Sequence, residues 1–169
     1  MGFQGDQEGT GTDATLTFPI QRVWVHNNSF YPGYCSNPTE SDKKEGDGSC
    51  DFKRGQYYTM SYNYFQDCHK TNLLGSGGSD VQYNMTLHHN YYNNVGSRQP
   101  LMANGNVHMY NNYFVGASST TTDLREYAML FSENNYYEDC KDYFKLRNNT
   151  CHLKAYGNII VGGDMGENS

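Results

Sequence analysis

Asp47 and Asp51 stand four residues apart in EGDGSCDFKRG (residues 45–55), with Gly48 between them and Lys53 and Arg54 just beyond. Paired carboxylates of this kind are either hard-oxygen ligands for a divalent cation or an acidic, solvated turn. Fully extended, residues 47–51 would hold the two Cα atoms about 13 Å apart, too far for one Ca2+ with bonds of ~2.3–2.6 Å. Gly48 permits the bend that draws them together. Three further groups lie in neighbouring stretches: Asp13, ten residues before Val23, Lys70 in CHKTNLLG, and Arg98 in GSRQP. Projected onto stacked coils, they would form a groove with carboxylates at one end and cations beside them.

The rest of the chain limits what that groove can do. Its 169 residues suffice for one domain with a real core, and an aromatic content of 15% argues against disorder. A net charge of −6 disfavours nucleic acid as partner; a polyanionic substrate would need local cations or a bridging metal. No apolar run reaches the ~18 residues of a membrane span, and MGFQGDQEGTG lacks the basic and apolar regions of a signal peptide. Five cysteines show no metal-binding spacing. Cys35 with Cys50 and Cys140 with Cys151 would close short disulfide loops in an oxidising compartment, leaving Cys68 as a buried thiol. His88 and His89, adjacent on a strand, are expected on opposite faces and in packing roles, as are His69 and His108. Tyr57 and Tyr91 are possible groove residues, and GSGGS (75–79) reads as a flexible loop.

A repeat supplies the scaffold. VWVHNNSF, YTMSYNYF, MTLHHNYY, VHMYNNYF, LFSENNYY and LKAYGNII share an asparagine, at Asn28, Asn63, Asn90, Asn112, Asn135 and Asn158. Their separations are 35, 27, 22, 23 and 23 residues. Five and three residues before each asparagine stand mostly apolar pairs such as Tyr58/Met60 and Val107/Met109, and two after it comes Phe30, Phe65, Tyr92, Phe114, Tyr137 or Ile160. Spacing of two is strand spacing. A strand recurring every 22 or so residues, with no room for a crossover helix, predicts an all-β, right-handed parallel β-helix of about six to seven rungs. Its asparagines would form a ladder and tolerate the left-handed backbone of each bend. Residues 1–169 are expected to form one such domain, lacking part of its terminal caps and acting as a monomer. The surplus residues fall between Asn28 and Asn63 and between Asn63 and Asn90, where the candidate groups sit.

VWVHNNSF, DGSCDFKRG, TMSYNYFQDCHKTNLLGS, TLHHNYYNNVGSRQP and NVHMYNNYF together resemble the catalytic core of the pectate lyases of polysaccharide lyase family 1, in unbroken order from about Asp13 to Phe114. The resemblance implies that Asp13, Asp47 and Asp51 hold Ca2+, that Lys70 touches the substrate near the scissile bond, and that Arg98 is the Brønsted base. It also implies basic substrate contacts at Lys53 and, beside it, Arg54, with polygalacturonate or pectin as partner and a secreted protein. One departure stands out: the family supplies a second arginine five residues after the base, and here Ala103 occupies that place. Rival readings are a pectin lyase working without metal, a polygalacturonase, and a non-catalytic carbohydrate-binding β-helix. Three aspartates at the metal positions argue against the first, and the lack of an Asp-Asp pair against the second.

Overall fold

The computed structural model describes residues 2–3, 21–32, 48–75 and 82–164. Among them there is no helix, and so none long and apolar enough to cross a membrane. The strands form three six-stranded parallel sheets, so the chain is an all-β parallel solenoid. Sheet A takes Gly2–Phe3, Asp51–Phe52, Leu73–Leu74, Leu101–Ala103, Thr120–Arg125 and Lys141–Leu146. Sheet B takes the longer strands Gln21–His26, Gly55–Ser61, Gln82–His88, Gly105–Tyr110, Met129–Glu133 and His152–Tyr156. Sheet C takes Ser29–Phe30, Tyr64–Gln66, Tyr91–Asn93, Tyr113–Val115, Tyr136–Glu138 and Ile159–Val161.

Alternation along sheet B decides which side chains form the core. Tyr58, Met60, Met85, Leu87, Val107, Met109 and Leu130 point inward and are buried, while Thr59, Thr86, His108 and Phe131 form an outward row in register. From sheet C, Phe30, Phe65, Tyr92, Phe114 and Tyr137 stack face to face with centroids 4.7–4.8 Å apart. That separation equals the ~4.7–4.9 Å between paired strands, so parallel register alone brings each ring onto the next. The aromatic position of the repeat is therefore a packing position, which reserves the function for other residues.

The corner between sheets B and C is built by amides. Asn63 Nδ2 donates to Asn90 Oδ1 (3.0 Å), Asn90 to Asn112 (3.0 Å) and Asn112 to Asn135 (2.9 Å). Each Oδ1 also accepts the backbone N–H of the preceding asparagine, as Asn112 does from Asn90 at 3.0 Å. The left-handed backbone does not fall on these asparagines. It falls on the residue before each: Asn27, Tyr62, His89, Asn111, Asn134 and Gly157, with φ between 52° and 63°. The column asparagine is thus chosen for its amide, and the bend is made by its neighbour. At Gly157 a Cβ would stand 2.5 Å from Asn134 Oδ1, which explains the glycine.

Two local expectations fail for geometric reasons. His88 and His89 do not point apart: His89 leaves the strand at φ 54°, and the two Nδ1 atoms lie 2.9 Å apart. Cys140 and Cys151 are both buried free thiols. They flank the six-residue strand Lys141–Leu146, about 20 Å when extended, whereas a disulfide needs Cα atoms within ~7 Å. Cys50 is likewise a free thiol, Cys68 is buried as expected, and Cys35 lies outside the described residues.

Candidate active-site groove

Lys70 and Arg98 close the C-to-A corners of successive coils. Lys70 bridges Ser97 in parallel register, Asn72 N–H donates to Arg98 O (2.9 Å), and Arg98 N–H donates to Thr120 O (3.3 Å). Buried amides fix both corners from beneath. Asn72 donates from Nδ2 to Cys50 O (3.0 Å) and accepts from the Tyr92 hydroxyl (3.0 Å). Gln99 donates from its backbone to Thr121 O (2.6 Å) and from Nε2 to Val95 O (3.2 Å). Polar groups buried this way are satisfied, and they hold the flanking Lys70 and Arg98 at the surface. Arg98 is left-handed (φ 64°), a trait shared with most corners of this solenoid and without functional weight by itself.

The two residues line one cavity of about 170 Å3 on the outer face of sheet A, together with Leu101, Asp123, Arg125 and Arg147. Register explains the company. Leu101 pairs with Asp123 and Ala103 with Arg125, so the coil after Ala103 places an arginine directly beside it. One coil further, Arg147 N–H donates to Leu124 O (2.9 Å), continuing the same row. Asp123 is 3% exposed although it faces outward, because two guanidinium groups cover it. Arg147 meets it with Nε on Oδ1 at 2.8 Å and Nη2 on Oδ2 at 2.6 Å. This fork holds Arg147 above its ordinary pKa, chiefly through the hydrogen bonds to Asp123. Four cations and one carboxylate therefore line the cavity of a chain whose net charge is −6.

A larger concavity of about 740 Å3 lies on the outer face of sheet B, beside Tyr57, Thr86, His108, Phe131 and Lys154. None of the predicted catalytic or metal residues lines it, and it holds no carboxylate. The larger concavity is lined by five adjacent strands of sheet B, whereas four cations and a carboxylate converge at the smaller cavity, which is the candidate site.

A pectate lyase family model matches residues 3–168. The pectate trisaccharide-lyase of Bacillus licheniformis is 37% identical over 141 residues, 82% of this chain and 38% of that protein. Among solved structures, pectate lyase C from Erwinia chrysanthemi at pH 9.5 with 30 mM Ca2+ superposes with a TM-score of 0.70 and 30% identity. It is matched over 80% of this chain and 40% of that one. A pectate lyase from Bacillus sp. N165 in complex with trigalacturonate gives 0.71 and 32%, over 82% of this chain and 48% of that one.

The chain belongs to the pectate lyase family.

It spans about two fifths of the length of the curated relatives it matches. As a pectate lyase family member it places the predicted groups unevenly. Lys70 and Arg98 come together, whereas Lys53 and Arg54 occupy the corner between sheets A and B and do not line the cavity. Tyr57 and Tyr91 do not line it either. Of the three metal candidates, Asp13 and Asp47 lie outside the described residues. Asp51 begins its sheet A strand, and its Oδ1 accepts the Leu73 N–H at 2.7 Å. Gly48 has φ +80°, and a Cβ there would stand 2.4 Å from Asp51 Oδ2, so glycine leaves room around that oxygen. A carboxylate fixed by a backbone donor and packed against a glycine turn is a hard-oxygen donor of the type Ca2+ takes. Among the described residues no group of three His, Cys, Asp or Glu gathers at any point. Sequence reading missed Asp123, Arg125 and Arg147, although Arg125 and Arg147 follow Ala103 at successive steps of 22 residues, one coil each.

Proposed function

We propose that this chain carries the catalytic groove of a Ca2+-dependent pectate lyase that cleaves polygalacturonate by β-elimination, with Arg98 as the base. The observation that carries the reading is the convergence of Lys70 and Arg98, from neighbouring coils, in one cation-lined cavity of an acidic chain. A local positive field admits a polyanion that the net charge alone would repel. Lys70 binds a uronate carboxylate beside the scissile bond, and Arg98 takes the proton from C5. The electron pair left at C5 forms the C4–C5 double bond as the C4–O bond breaks; the oxygen departs on the other half of the polymer and takes a proton from water, leaving an unsaturated uronide. Arginine is a charged side chain at neutral pH, so a reaction that uses one as base quickens toward alkaline pH.

Arg125 stands in for the arginine that Ala103 lacks, reaching the same stretch of groove from the next coil. Lys53 and Arg54 contact the polymer outside the cavity. Asp13, Asp47 and Asp51 would hold Ca2+, which supplies neutralisation of the uronate carboxylate as negative charge develops on it. On this reading residues 1–169 are one secreted, monomeric β-helix domain of six to seven rungs. The amide bonds between successive asparagines support its ladder.

The test is ultraviolet absorbance of unsaturated product from polygalacturonate at alkaline pH. A rise with Ca2+, absent with chelator and absent in Arg98→Lys, is expected. A Ca2+-independent rise, or one that survives in Arg98→Lys, overturns the assignment, and bound oligogalacturonate without product would mark a binding module instead.

A further inference from the structure

Asp123 is an unusual residue for a groove that accepts a polyanion. It faces outward from sheet A, in the outward column that runs through Leu101, and yet is 3% exposed. Both of its oxygens are engaged by Arg147, at 2.8 and 2.6 Å, and Arg125 Nη2 stands 3.8 Å from Oδ2. A buried carboxylate between two guanidinium groups leaves one net positive charge and fixes the direction of each fork. The fork to Asp123 uses two of the five N–H groups of Arg147 and leaves three for other partners. Arg125 Nε is buried with no hydrogen-bond partner, a condition that asks for an explanation in a folded protein.

The coils contribute one cation each along the cavity: Lys70, Arg98, Arg125 and Arg147. Each coil is ~4.8 Å from the next, and Arg125 and Arg147 stand in the register of Ala103, further along sheet A than Lys70 and Arg98. We propose that the Asp123–Arg147 pair extends the uronate-binding row by one position beyond Arg125, with Arg147 binding a carboxylate of a longer oligomer and Asp123 positioning both arginines. This rests on the pectate lyase reading only in taking a uronate chain as the ligand. It makes Arg147 a determinant of the chain length the groove prefers, and Asp123 a positioning residue that touches no substrate.

Trigalacturonate and hexagalacturonate are titrated by calorimetry into the protein and into Arg147→Gln, Arg147→Lys and Asp123→Asn, with unfolding temperatures taken in parallel. Arg147→Gln is expected to weaken hexamer binding about tenfold, the worth of one charge-assisted hydrogen bond, and trimer binding less than twofold. Arg147→Lys, which keeps charge but loses the fork, should recover part of the difference. Asp123→Asn should reduce the hexamer preference while leaving Lys70 and Arg98 in place. Equal losses for both lengths, losses that merely track the unfolding temperature, or no hexamer binding by the unaltered protein each overturn the proposal. Failure of the lyase reading looks different: length-dependent binding persists while no unsaturated product forms.

Discussion

Asn112→Ala probes the corner that sets every coil in register. Asn112 Oδ1 accepts the Asn90 N–H and the Asn90 Nδ2, both at 3.0 Å. Its Nδ2 donates to Leu87 O (2.9 Å), to Asn135 Oδ1 (2.9 Å) and, more weakly, to Tyr110 O (3.2 Å). Two accepted and two principal donated bonds at a net ~1 kcal/mol each give a loss of about 4 kcal/mol. The buried Asn90 N–H is also left without its acceptor. For a domain of this size ~4 kcal/mol lowers the unfolding temperature by roughly 8–16 °C. Asn28→Ala is the internal comparison: Asn28 is exposed and gives Nδ2 bonds to His26 O (2.8 Å) and Asn63 Oδ1 (3.2 Å). It should cost about 1 kcal/mol or less. Asn112→Asp keeps an accepting oxygen but turns a carboxylate toward Leu87 O and Asn135 Oδ1, so at neutral pH it should be worse than alanine. Thermal unfolding followed by circular dichroism measures all three. Equal shifts for Asn112→Ala and Asn28→Ala would refute the reasoning, since the interior amide would then contribute nothing beyond an exposed one.

Other outcomes follow from the same structure. Phe114→Ala, in the middle of the ring stack, should cost about 3–5 kcal/mol by opening a cavity between Tyr92 and Tyr137, read by urea unfolding. Gly48→Ala, forced against Asp51 Oδ2 at φ +80°, should weaken Ca2+ binding measured by calorimetry while leaving the stacked coils intact by circular dichroism. Stability should fall at alkaline pH. Burial pushes the Cys50 thiol from 9.0 up to about 12 and the Tyr58 phenol from 10.0 to about 12. Their unfolded-state protons are therefore released first, and stability declines as pH rises from 9 toward 12. For Cys50 the loss is on the order of 1 kcal/mol by pH 10, and Cys50→Ala should flatten that slope in unfolding-temperature profiles.

The architecture was legible because two periods coincide in the sequence: alternation within a strand, and a return every 22 or 23 residues. Both follow from backbone geometry, so Met60, Leu87 and Met109 could be assigned inward without coordinates. Arguments that assume a strand fail where the strand ends, which is why His88 and His89 meet instead of parting. The disulfide Cys140–Cys151 fails because closeness in sequence says nothing about how far an intervening strand carries the chain. Ala103 is a lost arginine when its own turn of chain is read by itself. In a solenoid a groove is assembled across coils, and the arginine proposed to serve in its place stands one repeat away, at Arg125.

The amide corner also bears on how such a chain can change over time. Separations of 35, 27, 22, 23 and 23 residues lead to the same contact, with Nδ2–Oδ1 distances of 3.2, 3.0, 3.0, 2.9 and 3.0 Å. Length added at the other two corners is therefore invisible to this one. Insertions there can be lengthened, exchanged or grafted from relatives without shifting the register of the sheets that present Lys70, Arg98 and Arg125. A single residue inserted beside the column asparagine would turn every following side chain of that coil to the opposite face. The scaffold thus separates positions that are free to vary from those that are not, and substrate preference can evolve at the free corners while the coils keep their alignment.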